Sequence, residues 1–236
     1  MLELWELGGR RDCRFSTFSW RTRLALHHKG LAFVIHPVAV SDKAAIAFSG
    51  QDQVPNNKHD DHVVTDSWAI ACYLERAFPD APSLFGGPVG ESLTHFFNLW
   101  ADRELVPAIV PYLMRDVLDC VDEADARHLR SRIEGFFKKS LEELAGERGK
   151  ALEQFHRRLQ PVRKTLERRR FLGGDAPAYA DHILFGVLQW ARVVSTATVL
   201  DADDVVAAWF ERVLDLYDGV GRNELPRAAR MQEAAA

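Results

Sequence analysis

The chain has 236 residues, 47% hydrophobic and 27% charged, the proportions of an ordinary globule with ample material for a core. Its net charge of −4 gives no electrostatic footprint for nucleic acid or an anionic membrane surface. No apolar run approaches the roughly 20 residues a membrane helix needs, and Met1-Leu2-Glu3-Leu4-Trp5-Glu6 lacks the basic start of a secretory signal. In chain order, Leu2 to Leu7 reads as a strand, Ser16 to Lys29 as an amphipathic helix closed by Gly30, and Ala32 to Val40 as a second strand. Val54-Pro55 then marks a turn, His62 to Thr65 a strand, and Asp66 to about Arg76 a helix. This βαβ unit followed by a hairpin and a helix predicts a thioredoxin-like α/β domain over residues 1–85.

Pro79, Pro82, Gly86, Gly87, Pro88 and Gly90 crowd one segment that reads as a linker, and an all-α domain is expected over residues 92–236. There Leu93, Phe96, Phe97 and Trp100 recur at helical spacing, as do Phe137, Leu141 and Leu144, then Leu152, Phe155 and Leu159. Such stripes are expected to be core, because helices in bundles bury one face. The run Arg168-Arg169-Arg170 reads as a solvated helix end, and the tail Ala234-Ala235-Ala236 as a frayed one.

Asp66 and Ser67 are good N-cap residues for the apolar run Trp68, Ala71, Cys72, Leu74 and Phe78. A helix start also offers free backbone N–H groups and partial positive charge, so a carboxylate ligand is favoured there. The X-Pro bond of Val54-Pro55 can be cis at modest cost, leaving the N–H and C=O of Val54 free to pair with an extended peptide. Upstream, Ser16 opens a helix, where a hydroxyl either caps the backbone or donates a hydrogen bond to a bound thiolate; the two roles are compatible. Three cysteines, Cys13, Cys72 and Cys120, with no C-x-x-C spacing, argue against a disulfide framework or a zinc site and fit a reducing cytoplasm.

The segments Ser16-Thr17-Phe18-Ser19-Trp20-Arg21-Thr22-Arg23, Val54-Pro55 and Asp66-Ser67-Trp68-Ala69-Ile70-Ala71 together resemble the glutathione S-transferase superfamily. Cys13-Arg14-Phe15-Ser16 running on to Gly30, with Phe171-Leu172-Gly173-Gly174-Asp175 and Trp209-Phe210-Glu211-Arg212, is similar to the bacterial glutathione-dependent β-etherases and their fungal relatives. The resemblance implies glutathione as co-substrate, held by Gln53, Val54, Pro55, Asp66 and Ser67, with its thiolate stabilised by Ser16 and attacking an electrophilic, aromatic small molecule. It also implies a homodimer. In cysteine-type members a thiol near Cys13 forms mixed disulfides instead, which keeps Cys13 as a rival to Ser16. Phe15, Tyr112, Met114 and Trp190 are candidates for an apolar substrate wall, since aromatic and thioether groups suit aryl ligands; core packing is the competing role for each.

Three departures from the family pattern stand out. Thr17 follows Ser16 where relatives usually have Pro. Ala178 replaces the usual Ser, Thr or Asn three residues before Asp181, which costs a helix cap worth on the order of 1 kcal/mol. Asn56-Asn57-Lys58-His59-Asp60-Asp61 stands where an apolar strand is expected, so either the strand is short and its side chains find partners, or the subdomain is weakened. That segment supports a second reading, a glutathione-binding or structural protein without turnover. His59 and His62 beside two aspartates are expected to be solvated turn residues and no metal site.

Overall fold

The computed structural model describes residues 1–233, so the Ala234-Ala235-Ala236 tail lies outside the described residues. Leu2–Leu7 forms β1, Thr17–His28 α1, Phe33–Val38 β2, Asn56–His59 β3, His62–Thr65 β4 and Ser67–Ala77 α2. The sheet order is β2-β1-β3-β4, with β1 and β2 parallel across the α1 crossover and the other pairs antiparallel. This is the thioredoxin-like layout. Ser16 caps α1, its Oγ accepting from the Ser19 N–H at 3.1 Å. At the other end Gly30, at φ +65°, closes a Schellman motif: its N–H reaches the His27 carbonyl at 2.9 Å, and the Leu31 N–H reaches Leu26 at 3.1 Å.

β3 is indeed short and lies inside the sheet, with Asn56 and Asn57 completely buried. Asn57 Nδ2 donates to the Glu3 carbonyl and Asn56 Nδ2 to the Gln53 carbonyl, each at 2.9 Å. Their Oδ1 atoms find no partner among the described residues. The polar strand is therefore half satisfied, at a cost of about 1–3 kcal/mol for each unpaired buried acceptor.

The helical part comprises α3 (Pro88–Trp100), a π-helical turn (Ala101–Leu105), α4 (Val106–Leu118), α5 (Glu123–Phe137), α6 (Leu141–Gly146), α7 (Arg148–Arg158), α8 (Gln160–Leu166), α9 (Tyr179–Val194), α10 (Val205–Leu214), α11 (Leu216–Asn223) and α12 (Arg227–Glu233). Pro88 and Gly90, expected in the linker, belong to α3: proline suits a first helical turn, and a Cβ at Gly90 would meet the Phe85 carbonyl oxygen at 1.9 Å. Fourteen of the sixteen residues of α9 are buried, which makes it the central helix. It packs on α1 so closely that a Cβ at Gly186 would lie 2.3 Å from the Thr17 carbonyl oxygen. The start of α1 is thereby fixed by the helical domain.

Ala178 provides no cap oxygen, and Asp181 takes over the helix start. Its carboxylate accepts from the N–H groups of Leu172 (2.8 Å), Gly173 (3.0 Å) and Ala178 (3.0 Å) and from Trp209 Nε1 (2.8 Å). Leu141, Leu144, Phe155 and Leu159 are core, as their spacing predicts. Leu93 and Phe96 are not: they stand 67% and 71% exposed on α3, whereas Phe97 and Trp100 of the same stripe pack against the core. Among the described residues no helix is long and apolar enough to cross a membrane.

Candidate functional site

The β3–β4 register pairs Asn56 with Thr65, so the turn before β3 and the start of α2 emerge at the same end of the hairpin. The Val54-Pro55 bond is cis, and Val54 enters none of the described backbone hydrogen bonds outside the regular elements. Asp66 is exposed at φ +73° and ψ +132°, outside the left-handed helical well where Asp usually takes a positive φ, and its Oδ1 accepts from the N–H groups of Trp68 (2.9 Å) and Ala69 (3.1 Å). Ser67 is buried, and its carbonyl accepts from the Tyr179 hydroxyl at 2.7 Å. That bond ties the start of α2 to the central helix α9.

Ser16, Gln53 and Val54 line one cavity of about 560 Å³ between the sheet domain and the helices. Pro55, Asp66 and Ser67 lie beyond its lining, next to it in the sheet register. Because the Ser16 Oγ uses a lone pair on the Ser19 N–H, its O–H remains free to donate into the cavity. The facing wall is apolar. Val110 and Met114 of α4 and Leu129, Ile133, Phe136 and Phe137 of α5 form it. Of the four residues chosen from sequence as substrate wall, Met114 lines this cavity and Phe15, Tyr112 and Trp190 do not. Those three are buried in the packed interior, Tyr112 beneath the Arg148 guanidinium at 4.7 Å.

Three wall-forming features escaped the sequence reading. The α5 stripe had a signal, since Leu129, Ile133 and Phe137 recur every four residues, but Phe137 was expected in the core. Lys43, whose Nζ donates to the Asp52 carbonyl at 2.6 Å, lines the cavity with no local motif to announce it. Asp102 reaches the cavity from the π-helical turn, held at 2.7 Å by the completely buried Arg21, which also donates to Asn98 Oδ1 at 3.0 Å.

Cys13 is buried away from this cavity, with Sγ 3.7 Å from the Val193 carbonyl. The adjacent Cys120 thiol and burial push its titration up, which disfavours a thiolate. His59 pairs through Nδ1 with the Tyr73 hydroxyl at 2.7 Å, and among the described residues no group of three or more His, Cys, Asp or Glu side chains is arranged to hold a metal.

Residues 92–217 match the family model described as "Glutathione S-transferase, C-terminal domain", and residues 15–77 match "Glutathione S-transferase, N-terminal domain". Glutathione S-transferase 1 of Dianthus caryophyllus is 38% identical over 81 residues, 29% of this chain and 34% of that protein, so the chain spans about a third of that curated relative's length. Among solved structures, a glutathione S-transferase of Ceriporiopsis subvermispora in complex with glutathione is 22% identical, with a TM-score of 0.76 over 92% of this chain and 96% of that one. A glutathione transferase of Phanerochaete chrysosporium is 23% identical, with a TM-score of 0.75 over 95% and 94%. At such identities the structural likeness is one of fold.

Proposed function

Since the chain belongs to the glutathione S-transferase family, we infer that it is a glutathione transferase whose active site is the interdomain cavity opened by Ser16. One observation carries this reading: a helix-capping hydroxyl with a free O–H faces the same apolar cavity as the unpaired backbone of Val54. Glutathione would lie as an extended peptide along Gln53, Val54 and Pro55, its γ-glutamyl end at Asp66 and Ser67 on the start of α2. Lys43 and Arg132 are the cations lining the cavity that could meet the tripeptide's other carboxylate. Ser16 donates to the sulfur and the α1 N-terminus favours its negative charge, so the thiolate forms near neutral pH and attacks an electrophilic carbon. Residues 1–85 would hold glutathione and residues 92–236 the second substrate.

The wall of Met114, Ile133, Phe136 and Phe137 suits an aromatic electrophile. With the β-etherase-like pairing of Trp20-Arg21-Thr22 and Asp66-Ser67-Trp68, it supports a β-aryl ether as the substrate, in which the attacked carbon carries an aryloxy leaving group beside a ketone. The exposed face Val89, Leu93 and Phe96 of α3 supports a homodimer, because an outward apolar stripe of this size is normally covered. Three buried free thiols support a cytoplasmic location.

Retention on immobilised glutathione followed by turnover of a general electrophile and of a model β-aryl ether tests the reading. A transferase is retained and turns over at least the first. Retention without turnover favours the non-catalytic binding protein, for which the half-satisfied asparagines of β3 are the supporting observation. Absence of retention refutes both.

A further inference from the structure

A second, smaller cavity of about 150 Å³ is lined by Cys13 and Cys120 together with Arg10, Arg227 and Arg230. The two cysteines stand on chain segments in direct contact. The Arg10 N–H donates to the Cys120 carbonyl at 2.7 Å, the Gly9 N–H donates to the Cys13 carbonyl at 2.8 Å, and a Cβ at Gly9 would lie 2.3 Å from the Cys120 oxygen. Each sulfur has its own guanidinium: Arg227 Nη1 is 3.1 Å from Cys120 Sγ, and Arg230 Nη1 is 3.1 Å from Cys13 Sγ. Asp119 and Glu224 pair with the same two arginines and orient them. The transferase chemistry at Ser16 uses neither thiol.

We propose that Cys120 and Cys13 are a peroxide-reactive dithiol, with Cys120 the attacking sulfur and Cys13 the resolving one, in a cavity that admits hydrogen peroxide but not a bulky oxidant. Their electrostatics divide the roles. The neighbouring Cys13 thiol and the Arg227 guanidinium hold Cys120 below the usual thiol range, whereas Cys120 and burial push Cys13 up, so Cys120 ionises first and Cys13 keeps its proton. The Cys120 thiolate attacks one peroxide oxygen, the O–O bond breaks, and the departing hydroxide takes a proton to leave as water. Cys120 is now a sulfenic acid. The Cys13 sulfur attacks it, the S–OH bond breaks, and that hydroxide leaves as water with the Cys13 proton. Two thiols have lost two electrons to one peroxide, giving a Cys13–Cys120 disulfide and two waters. Two molecules of a small thiol such as glutathione return it to the dithiol by exchange. The disulfide joins the loop before α1 to the end of α4, and so staples the two domains.

Cys72 provides an internal control: it lies 3.8 Å from the Glu91 carboxylate, and its thiol is pushed up to about 11 by burial and that charge. The test treats the full chain with hydrogen peroxide at neutral pH, alkylates the remaining thiols, and maps the products by mass spectrometry. The expected result is a cross-linked Cys13–Cys120 peptide about 2 Da lighter than the paired thiols, with Cys72 still alkylatable and the link reversed by glutathione. In Cys13→Ser, Cys120 should be trapped as a dimedone adduct, and Arg227→Gln should slow oxidation at pH 7 several-fold by lowering the thiolate fraction. Oxidation of Cys72 at the same rate as Cys120, or peroxide treatment that leaves both Cys13 and Cys120 alkylatable, would overturn the proposal.

Discussion

Ser16 carries two loads that different substitutions separate. Ser16→Ala removes both the acceptor for the Ser19 N–H and the proposed donor to the glutathione sulfur. The cap loss costs about 1 kcal/mol of stability, whereas loss of the donor slows conjugation most near neutral pH. Cys13→Ser, away from the cavity, should leave conjugation rates close to wild type in the same steady-state assay; an inactive Cys13→Ser beside an active Ser16→Ala would reverse the assignment. Asp66 has a smaller expected effect than a buried charge would have, because it is exposed and doubles as the α2 cap. Asp66→Asn keeps the cap and the positive φ and removes only charge. Calorimetry should show glutathione binding weakened a few-fold, within the about 0.2–1 kcal/mol of an exposed pair. Asp66→Ala should weaken it further and also lower the melting temperature. At this scale the sequence was readable wherever a cap or an X-Pro turn signals itself locally, as at Ser16, Val54 and Asp66. Lys43 and Asp102 reach the cavity only through tertiary packing, which no local pattern encodes.

At the scale of elements, Asp181 is the anchor of α9, and four N–H groups depend on it. Burial pushes its carboxyl up while those donors pull it back. Asp181→Ala strands all four in the interior and should cost at least about 3 kcal/mol. Chemical denaturation would register this as a lower midpoint at unchanged slope, and a wild-type midpoint would show that the donors find other partners. Helical spacing announced the buried residues Leu141 and Leu144 of α6, Phe155 of α7 and Leu159 at its end. The same signal misplaced Leu93, Phe96 and Phe137, because helical spacing reports that a face is apolar and says nothing of what covers it. On α3 Leu93 and Phe96 stand exposed while Phe97 and Trp100 pack on the core, and on α5 Phe137 meets a cavity. β3 was unreadable as an interior strand for the opposite reason: Asn56 and Asn57 satisfy their amide N–H groups on carbonyls brought in by β1 and the preceding turn.

For the whole molecule, buried histidines set the pH dependence of stability. His182 is completely buried and held well below its usual range by burial, with His28 adding to the effect; His27 and His28 are lowered as well, chiefly by burial. The folded protein keeps these rings neutral where the unfolded chain takes up protons. Stability is therefore full above about pH 6.5 and falls as pH drops below it, by at most about 1.4 kcal/mol per pH unit for each ring. Glu6, Asp181 and Glu224, pushed up by burial, act in the opposite direction. The histidine contribution is isolated by comparing melting temperatures of wild type and His182→Gln between about pH 7.5 and pH 5.5: the variant should lose less on acidification, and parallel curves would contradict the assignment. The exposed α3 face makes its own prediction. Leu93→Glu with Phe96→Glu should convert a dimer to a monomer by light scattering, and a variant that keeps the wild-type mass places the interface elsewhere.

The central claim is that the start of α1 ionises glutathione in the interdomain cavity, and the ultraviolet absorbance of the enzyme-bound thiolate against pH tests it most directly. Wild type should ionise bound glutathione well below the usual thiol range of about 8.5, and Ser16→Ala should move that transition upward while glutathione remains bound. A wild-type transition at the free-thiol value, or one that Ser16→Ala leaves unmoved, would contradict the account.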